Sequence, residues 1–394
     1  MRGNATRPDK YIVVPAANAA ELVQIVNAYA GERAIFIRGN YQVEAALSIP
    51  ANTHIEGDGR ETTSIQQLTN NTNVIEAADT PSSDCILRDF EIIGRKAGRE
   101  TVETGIGIYG CFYRSVFENL RVNFCGRNIY LMHATEWCWE NMIIRCDLSN
   151  SVNNNVEFGS KSSDNLILGG NIRFAGYHAS NPWQSSVGLK CNTVSNHKII
   201  GCTIEDNWRN VEMLDGAMLL QGCSLDDAQR ENILVKATTA HVTYPQIIAC
   251  KIKDADEEGV NANHITLQGD GSSNYVRNGI IALNTFDGTG APYCVYFADA
   301  FVGNITILGN DTRWGYGTAP VGGVALPTGF CRGHDTPGTG SDEHSIEYQT
   351  QTGAWANPTG LTWNGRNVLV YNSTATQYRL YAYLNAGWRY AVLT

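Results

Sequence analysis

Charged side chains are scarce in this chain of 394 residues. Lys, Arg, Asp and Glu make up 17% of it, against roughly 25% in an average globular protein. A bundle of Glu/Lys-rich helices is excluded by that shortage. No apolar run reaches the ~18 residues a membrane-spanning helix needs, and the segment Met1–Lys10 has no apolar core of the kind a signal peptide carries. CxxC, HExxH and GxSxG are absent. Their absence removes the commonest zinc, redox and serine-hydrolase signatures. Gly105-Ile-Gly-Ile-Tyr-Gly110 matches GxGxxG in letters, but it lies in a strand pattern and opens no helix, so no dinucleotide is expected. No cofactor and no metal are predicted. Positive charge is the minority sign: the net charge is −10 and the pI about 5.3. Sequence-independent phosphate binding needs a basic face, so a nucleic-acid partner is not expected.

What is present in quantity is Gly (39) and Asn (36), alongside 43% apolar residues. The apolar share can bury a large core, and Gly and Asn serve turns that need positive φ. The 11 cysteines are odd in number. They read as buried free thiols, which implies folding in a reducing compartment.

Ala19–Tyr29 carries Leu22, Val23, Ile25, Val26 and Tyr29 behind Asn18 as N-cap, and is predicted to be an amphipathic helix. From residue 84 onward an apolar pair at i and i+2 recurs: Phe90/Ile92, Leu120/Val122, Met142/Ile144, Ile172/Phe174, Cys202/Ile204, Cys223/Leu225, Cys250/Ile252, Asn284/Phe286 and Asn310/Thr312. Successive pairs lie 21 to 34 residues apart. A further strand starts at Asn128, Asn155, Asn210 and Asn232. A repeat of this length made of short strands and Gly/Asn turns predicts an all-β, single-stranded parallel β-helix. Stacked Cys202, Cys223 and Cys250, continued by Asn284 and Asn310, should form an inward ladder. The expected organisation is an N-terminal segment and capping helix at 1–33, the β-helix at 34–315, and a Gly/Pro-rich linker with a small antiparallel β module at 316–394. Three strands near 367–371, 378–384 and 388–393 compose that module.

The run Ala34–Tyr41 (AIFIRGNY), Leu47–Pro50 (LSIP) and Thr53–Gly59 (THIEGDG) resembles the opening coils of pectate-lyase-like right-handed β-helices, most of all phage tailspikes and capsule depolymerases. The closing segment Tyr378–Tyr390 is similar to C-terminal modules of phage tail proteins. The resemblance implies a right-handed solenoid acting outside the cell on a polysaccharide, as a monomer or a homotrimer. It carries over no site residue. Asp226-Asp227 is present, but Gly333-His334 lies 107 residues later, so the polygalacturonase set is not reproduced. The Arg and carboxylate set of pectate lyases has no counterpart.

The residues themselves nominate a site. Glu205, Asp206, Asp226, Asp227 and Asp254 fall on three successive repeats, in the slots just after the second inward residue. Strands stack at ~4.8 Å. Glycoside hydrolysis uses two carboxylates, about 5–5.5 Å apart for retention and roughly 6.5–9.5 Å for inversion. Glu205, Asp226, Asp227 and Asp206 are therefore the acid/base candidates. Trp208, Arg209, Tyr177, Trp183, Lys253 and Asp254 are candidate sugar contacts. Glu157 and Glu212, in the outward slot of the following strand, are second-tier acid/base or substrate-binding candidates. Of Trp137 and Trp139, one is expected to point inward. His133, His178 and His197 read as surface or turn residues. The sequence reading is an endo-acting polysaccharide hydrolase. A lyase acting on a uronate glycan, or a glycan-binding fibre module without activity, are the alternatives.

Overall fold

The computed structural model describes residues 11–14, 18–95, 104–176, 186–192, 196–256, 259, 261–288, 291–312 and 317–323, with residue 357 and the strands at 331–336, 347–351, 367–372, 377–384 and 387–393. Each coil contributes three strands in turn. One coil runs Asn196–Ile200, Thr203–Glu205 and Arg209–Leu214, the next Ala217–Gln221, Ser224–Asp226 and Ile233–Lys236, the next Gln246–Ile248, Lys251–Lys253 and Ile265–Gln268. Each strand pairs in parallel with its counterpart above and below. First and second strands form one 21-stranded sheet, and third strands form an 11-stranded sheet. The chain is thus a parallel β-helix.

The bend between first and second strand needs a left-handed residue. Asp89, Asn119, Arg145, Gly169, Gly201 and Gly222 occupy it with φ between 50° and 65°. Small or amide-bearing side chains tolerate that region best, and Asn119, Gly169, Gly201 and Gly222 meet that need here. Directly after it comes the inward column. Cys202, Cys223 and Cys250 are buried, and Asn284 Nδ2 donates to Asn310 Oδ1 at 2.9 Å. The ten cysteines whose side chains are described are all free and buried. Burial pushes the Cys85 thiol up to about 11 and Cys146 to about 12.

Two coils need a frame correction. Val122 pairs with Leu148, and Leu148 with Ile172, which pairs with Ile204. The inward pairs there are Cys146/Leu148 and Gly170/Ile172, not Met142/Ile144 and Ile172/Phe174. Met142–Ser149 runs through the bend as a single strand, so its first-strand pair Met142/Ile144 imitates the second-strand pattern; in Leu166–Arg173, Gly170 leaves the first inward slot without an apolar side chain, and Phe174, in the turn at φ 57°, completes a false pair with Ile172. Parallel pairing also extends beyond 34–315. Tyr11–Val13 pairs with Ala34–Phe36, and Cys331–Thr336 pairs with the strand Thr306–Asp311.

The helix Ala19–Tyr29 is capped by Asn18, whose Oδ1 accepts the Glu21 N–H at 3.1 Å. Its Leu22 and Val26 join the solenoid core. Near the C-terminus, Asn367–Asn372, Gln377–Leu384 and Gly387–Leu393 pair antiparallel, and a fourth strand, Glu347–Gln351, joins the first of them in parallel.

His197 is not at the surface. It is fully buried and stacked on Phe158 at 3.9 Å between ring centroids. Its Nδ1 accepts the Asn165 N–H at 3.2 Å, which leaves the proton of the neutral ring on Nε2. Desolvation lowers its pKa to about 3. The unfolded chain takes up a proton below about pH 6.5 that the folded chain refuses, so this residue's contribution to stability is complete above that pH. It is lost as pH falls toward 3, by roughly 1.4 kcal/mol per pH unit. We expect His197→Gln, which keeps an acceptor but does not titrate, to flatten the fall in stability between pH 6 and 4 by about one proton, read from urea unfolding at a series of pH values. An unchanged slope would show that His197 is not held neutral.

Candidate functional site

The second strands of three coils lie side by side in register: Arg173 beside Glu205, and Glu205 beside Asp226, with Ser224–Leu225 matching Lys251–Ile252 one coil further. Ile204, Leu225 and Ile252 are fully buried. Strand alternation then turns Glu205, Asp226 and Lys253 outward. The next residues, Asp206, Asp227 and Asp254, adopt φ of 54°, 49° and 40°. They form the turn toward the third strand, a conformation Asp accepts more readily than most residues.

A buried amide ladder holds this turn from inside. Asn207 Nδ2 donates to the Glu205 carbonyl at 2.8 Å, Asn210 Nδ2 to the Asp226 carbonyl at 2.8 Å, and Asn232 Nδ2 to the Lys253 carbonyl at 2.9 Å. The amides also bond to each other: Asn207 Nδ2 to Asn210 Oδ1 at 2.9 Å and Asn210 Nδ2 to Asn232 Oδ1 at 2.6 Å. The backbone of each outward acid is therefore fixed by an interior side chain.

Five carboxylates collect here. The pKa values of Glu205, Asp206 and Asp226 are all raised, first by desolvation. After burial, Asp206 is the main like charge acting on Glu205, and Asp227 the main one on Asp206 and on Asp226. Lys253 partly offsets the cluster: its Nζ lies 2.7 Å from Asp254 and 3.5 Å from Asp226. The hydrogen bond to Asp254 is the main cause of its raised pKa, so it stays charged. Asp226, Asp227 and Asp254 can bring one oxygen each within 4.8 Å of one another, a spacing that suits a hard cation. Lys253 already supplies positive charge to two of the three.

On the other side Arg173 Nη1 stands 3.8 Å from Glu205, and its Nε 3.7 Å from Asp147. Arg121 Nε is 3.6 Å from Asp147 and also pairs with Glu61 and Glu91. An alternating chain of ion pairs, Glu91–Arg121–Asp147–Arg173–Glu205, thus leads into the acidic cluster, crossing to the neighbouring outward column between Asp147 and Arg173. The sequence frame missed it, because the two misframed coils assigned Arg145 and Ala175 to slots that Ser149 and Arg173 fill.

The other nominated residues divide. Lys253 and Asp254 belong to the cluster. Trp208 is only 8% exposed, with the Arg230 guanidinium 5.8 Å from its ring centre, so it packs rather than offering an open platform. Arg209 is engaged by Glu231 at 2.7 Å and Glu212 at 3.3 Å. Glu157 and Glu212 lie on the third-strand face, with Lys190 between them in register. Glu157 is buried and accepts from Arg127 Nε at 2.6 Å, Asn154 at 2.7 Å and Asn192 at 2.7 Å. Glu212 is buried 3.4 Å from Lys190. Both acids are tied into ion pairs away from the cluster. Tyr177, Trp183 and His178 lie outside the described residues. Trp137 and Trp139 are both exposed, at 42% and 40%. Residues two apart in a strand share a face, and Cys138 between them takes the inward position.

No family model matches the chain, and no curated protein matches it. Solved structures do. The Dettilon tailspike protein aligns with 98% of this chain and 78% of its own, at 11% identity and a TM-score of 0.62. A tailspike of the Acinetobacter baumannii bacteriophage Fri1, described as a capsular polysaccharide depolymerase, aligns with 98% of this chain and 80% of its own, at 11% identity and 0.60. The A-module of the Azotobacter vinelandii mannuronan C-5 epimerase AlgE4 aligns with 80% and 93%, at 13% identity and 0.53. At such identities the likeness concerns the fold: this chain is a right-handed parallel β-helix of the kind found in phage tailspikes.

The raised pKa of Glu205 gives a direct test of the cluster. Asp206→Asn removes the like charge that acts on it most, so the Glu205 titration midpoint should move down toward the ordinary carboxylate range, read by carbon-detected NMR. A raised acid favours the folded state at low pH and costs stability as pH rises through its midpoint. The same variant should therefore melt higher than the parent at pH 7, with the difference shrinking at pH 4. No movement of the midpoint would mean that the two carboxyl groups do not interact.

Proposed function

We propose that this chain is an endo-acting polysaccharide depolymerase working by hydrolysis, with Glu205 as general acid and Asp226 as its carboxylate partner. The observation that carries this reading is the in-register pair on adjacent coils, with both pKa values raised. Adjacent strands lie about 4.8 Å apart, near the roughly 5–5.5 Å that retaining glycosidases use between carboxyl groups. Desolvation and Asp206 favour the protonated form of Glu205, as donation to a leaving oxygen requires. Asp226 is raised as well, and Lys253, 3.5 Å away, draws it part of the way back toward the ionised form that attack or base action requires. The likeness to a tailspike described as a capsular polysaccharide depolymerase supports the substrate class. Free buried thiols suit folding inside the cell before action outside it.

A second reading, β-elimination on a uronate glycan, draws on Arg173 beside Glu205, which would neutralise a sugar carboxylate. It lacks a base of the lysine type, because Lys253 is held protonated. Release of reducing ends from a polysaccharide panel tests hydrolysis, and absorbance near ~235 nm from an unsaturated product identifies elimination. Glu205→Gln and Asp226→Asn should each lower turnover by at least ~10²-fold while the fold persists. Full activity in both would move the chemistry elsewhere. Glycan binding with no scission of any polymer would leave a fibre module instead.

We also propose self-association as a homotrimer along the first-strand face. Ile144, Leu168, Ile200, Gln221, Ile248, Ala282 and Leu308 share one outward column in register, and Leu168 and Leu308 are exposed. Gln221 interrupts the column and Ala282 is buried, which leaves Ile144, Leu168 and Ile200 on one side and Ile248 and Leu308 on the other as the apolar surface a partner copy would cover. Sedimentation equilibrium should give three times the chain mass for the parent and the chain mass for Leu168→Glu/Leu308→Glu. A monomeric parent would sink the proposal.

A further inference from the structure

A second surface, away from the acidic cluster, has the build of a sugar platform. It lies at the corner between the third strand of one coil and the first strand of the next. Short strands there stack Phe112–Tyr113 on Ser82–Ser83, and Cys138–Trp139 on Ser162–Ser163. Cys138 and Phe112 point inward and are buried. Trp139 is then turned out beside Tyr113 of the coil below, with ring centres 5.4 Å apart and planes inclined by 34°. Trp137 is turned out on the same coil as Trp139.

Cations lie over two of the three rings. The Arg114 guanidinium sits 4.4 Å from the Tyr113 ring centre and is held by Asp84 at 2.9 Å. Lys161 Nζ sits 4.9 Å from the Trp137 ring centre, and no carboxylate pairs with it among the described residues. His133 is fixed beside them, its Nδ1 accepting the Thr135 and Glu136 N–H groups at 3.3 and 3.1 Å. The result is a ledge on which Trp139 offers an exposed ring, while the cations over one face of Tyr113 and of Trp137 offer hydrogen-bond donors to sugar hydroxyl groups. It is short, because Ser83 and Ser163 close the column at either end.

From this geometry we infer that Tyr113, Trp137 and Trp139 form a glycan-binding ledge that holds two or three pyranose units without cleaving them. The inference rests on the proposed polysaccharide substrate. Size decides between occupants. A Trp side chain offers about 150–250 Å², so two that are 42% and 40% exposed, with part of Tyr113, present on the order of 200–300 Å². A stable protein partner needs roughly 800 Å² per side. Pyranose rings need only their own faces covered, with hydroxyl groups reaching a polar rim. The strand pairings place Trp139 in the coil of Leu148, two coils below that of Glu205 and three below that of Asp226. The ledge therefore grips polymer at a fixed remove from the acidic cluster, on another side of the solenoid.

The experiment is affinity electrophoresis of the full chain in gels cast with alginate, pectate, hyaluronan, dextran or xanthan, with scission of the same polymers measured in parallel. The parent should be retarded in at least one polymer. Trp137→Ala/Trp139→Ala should weaken that retardation at least ~10-fold, Trp137→Phe/Trp139→Phe should restore most of it, and Glu205→Gln should be retarded like the parent. Equal retardation of parent and alanine variant overturns the ledge while leaving the hydrolase reading standing, as does a lower assembly mass for that variant, which would make the patch a contact between copies. Retarded parent without scission of any polymer overturns the hydrolase reading and leaves the ledge. A parent retarded in no polymer overturns the ledge, and its scission results then decide the hydrolase reading separately.

Discussion

The outward chemistry of this solenoid depends on a row of amides that never meets solvent. Asn128, Asn155, Asn207, Asn210 and Asn232 are fully buried. Their side chains donate in turn to the carbonyls of Ser149, Arg173, Glu205, Asp226 and Lys253. Each of those carbonyls ends a second strand, just where the chain turns through a left-handed residue. A buried carbonyl without a partner would cost about 1–3 kcal/mol, so these turns depend on their amides. The amides depend on each other in the same way, since a buried Asn cannot meet both its donors and its acceptor from one turn alone. The row is therefore cooperative along the axis, and it sets the backbone from which Arg173, Glu205, Asp226 and Lys253 project.

Much of this was legible in the sequence, because a repeat shows itself through spacing. Cys202/Ile204, Cys223/Leu225 and Cys250/Ile252 fall in the frame the structure shows, and the free thiols follow from their place in an apolar column. Asn128, Asn155, Asn210 and Asn232 were visible as strand starts. What spacing could not reveal was their bonding to one another, which depends on neighbours in other coils. The frame failed where a strand runs unbroken through the bend, at Met142–Ser149 and Leu166–Arg173. In the first, the first-strand pair Met142/Ile144 looks like a second-strand one; in the second, Gly170 leaves the inward slot bare and Phe174 in the turn completes a false pair with Ile172. The shift at Leu166–Arg173 hid Arg173 from the site and with it the alternating chain of ion pairs.

The acidic cluster was legible as composition and position, while its electrostatic character was not. Alternation predicts that Glu205 and Asp226 face outward. It does not say that Arg173 and Lys253 stand at either end, or that Trp208 is covered by Arg230. Burial of His197 and the joint exposure of Trp137 and Trp139 belong to the same class of facts. Local pattern gives the parity of a residue within its strand, and the identity of its cross-coil neighbour decides its environment. Glu157 shows the difference plainly. It shares outward parity with Glu212, yet three donors from Arg127, Asn154 and Asn192 tie it down.

In-register stacking also makes distance along this molecule discrete. Strands in every sheet lie one rung apart, at about 4.8 Å, so the corner that carries Trp139 and the turn that carries Glu205 are separated by whole coils. Removing or duplicating one coil would shift every feature above it by one rung and turn none of them to a new face, provided the bend and amide residues are copied with it. A point substitution cannot make that change. The molecule behaves as a ruler with fixed graduations, whose markings can be rewritten one residue at a time but whose length changes only by whole units.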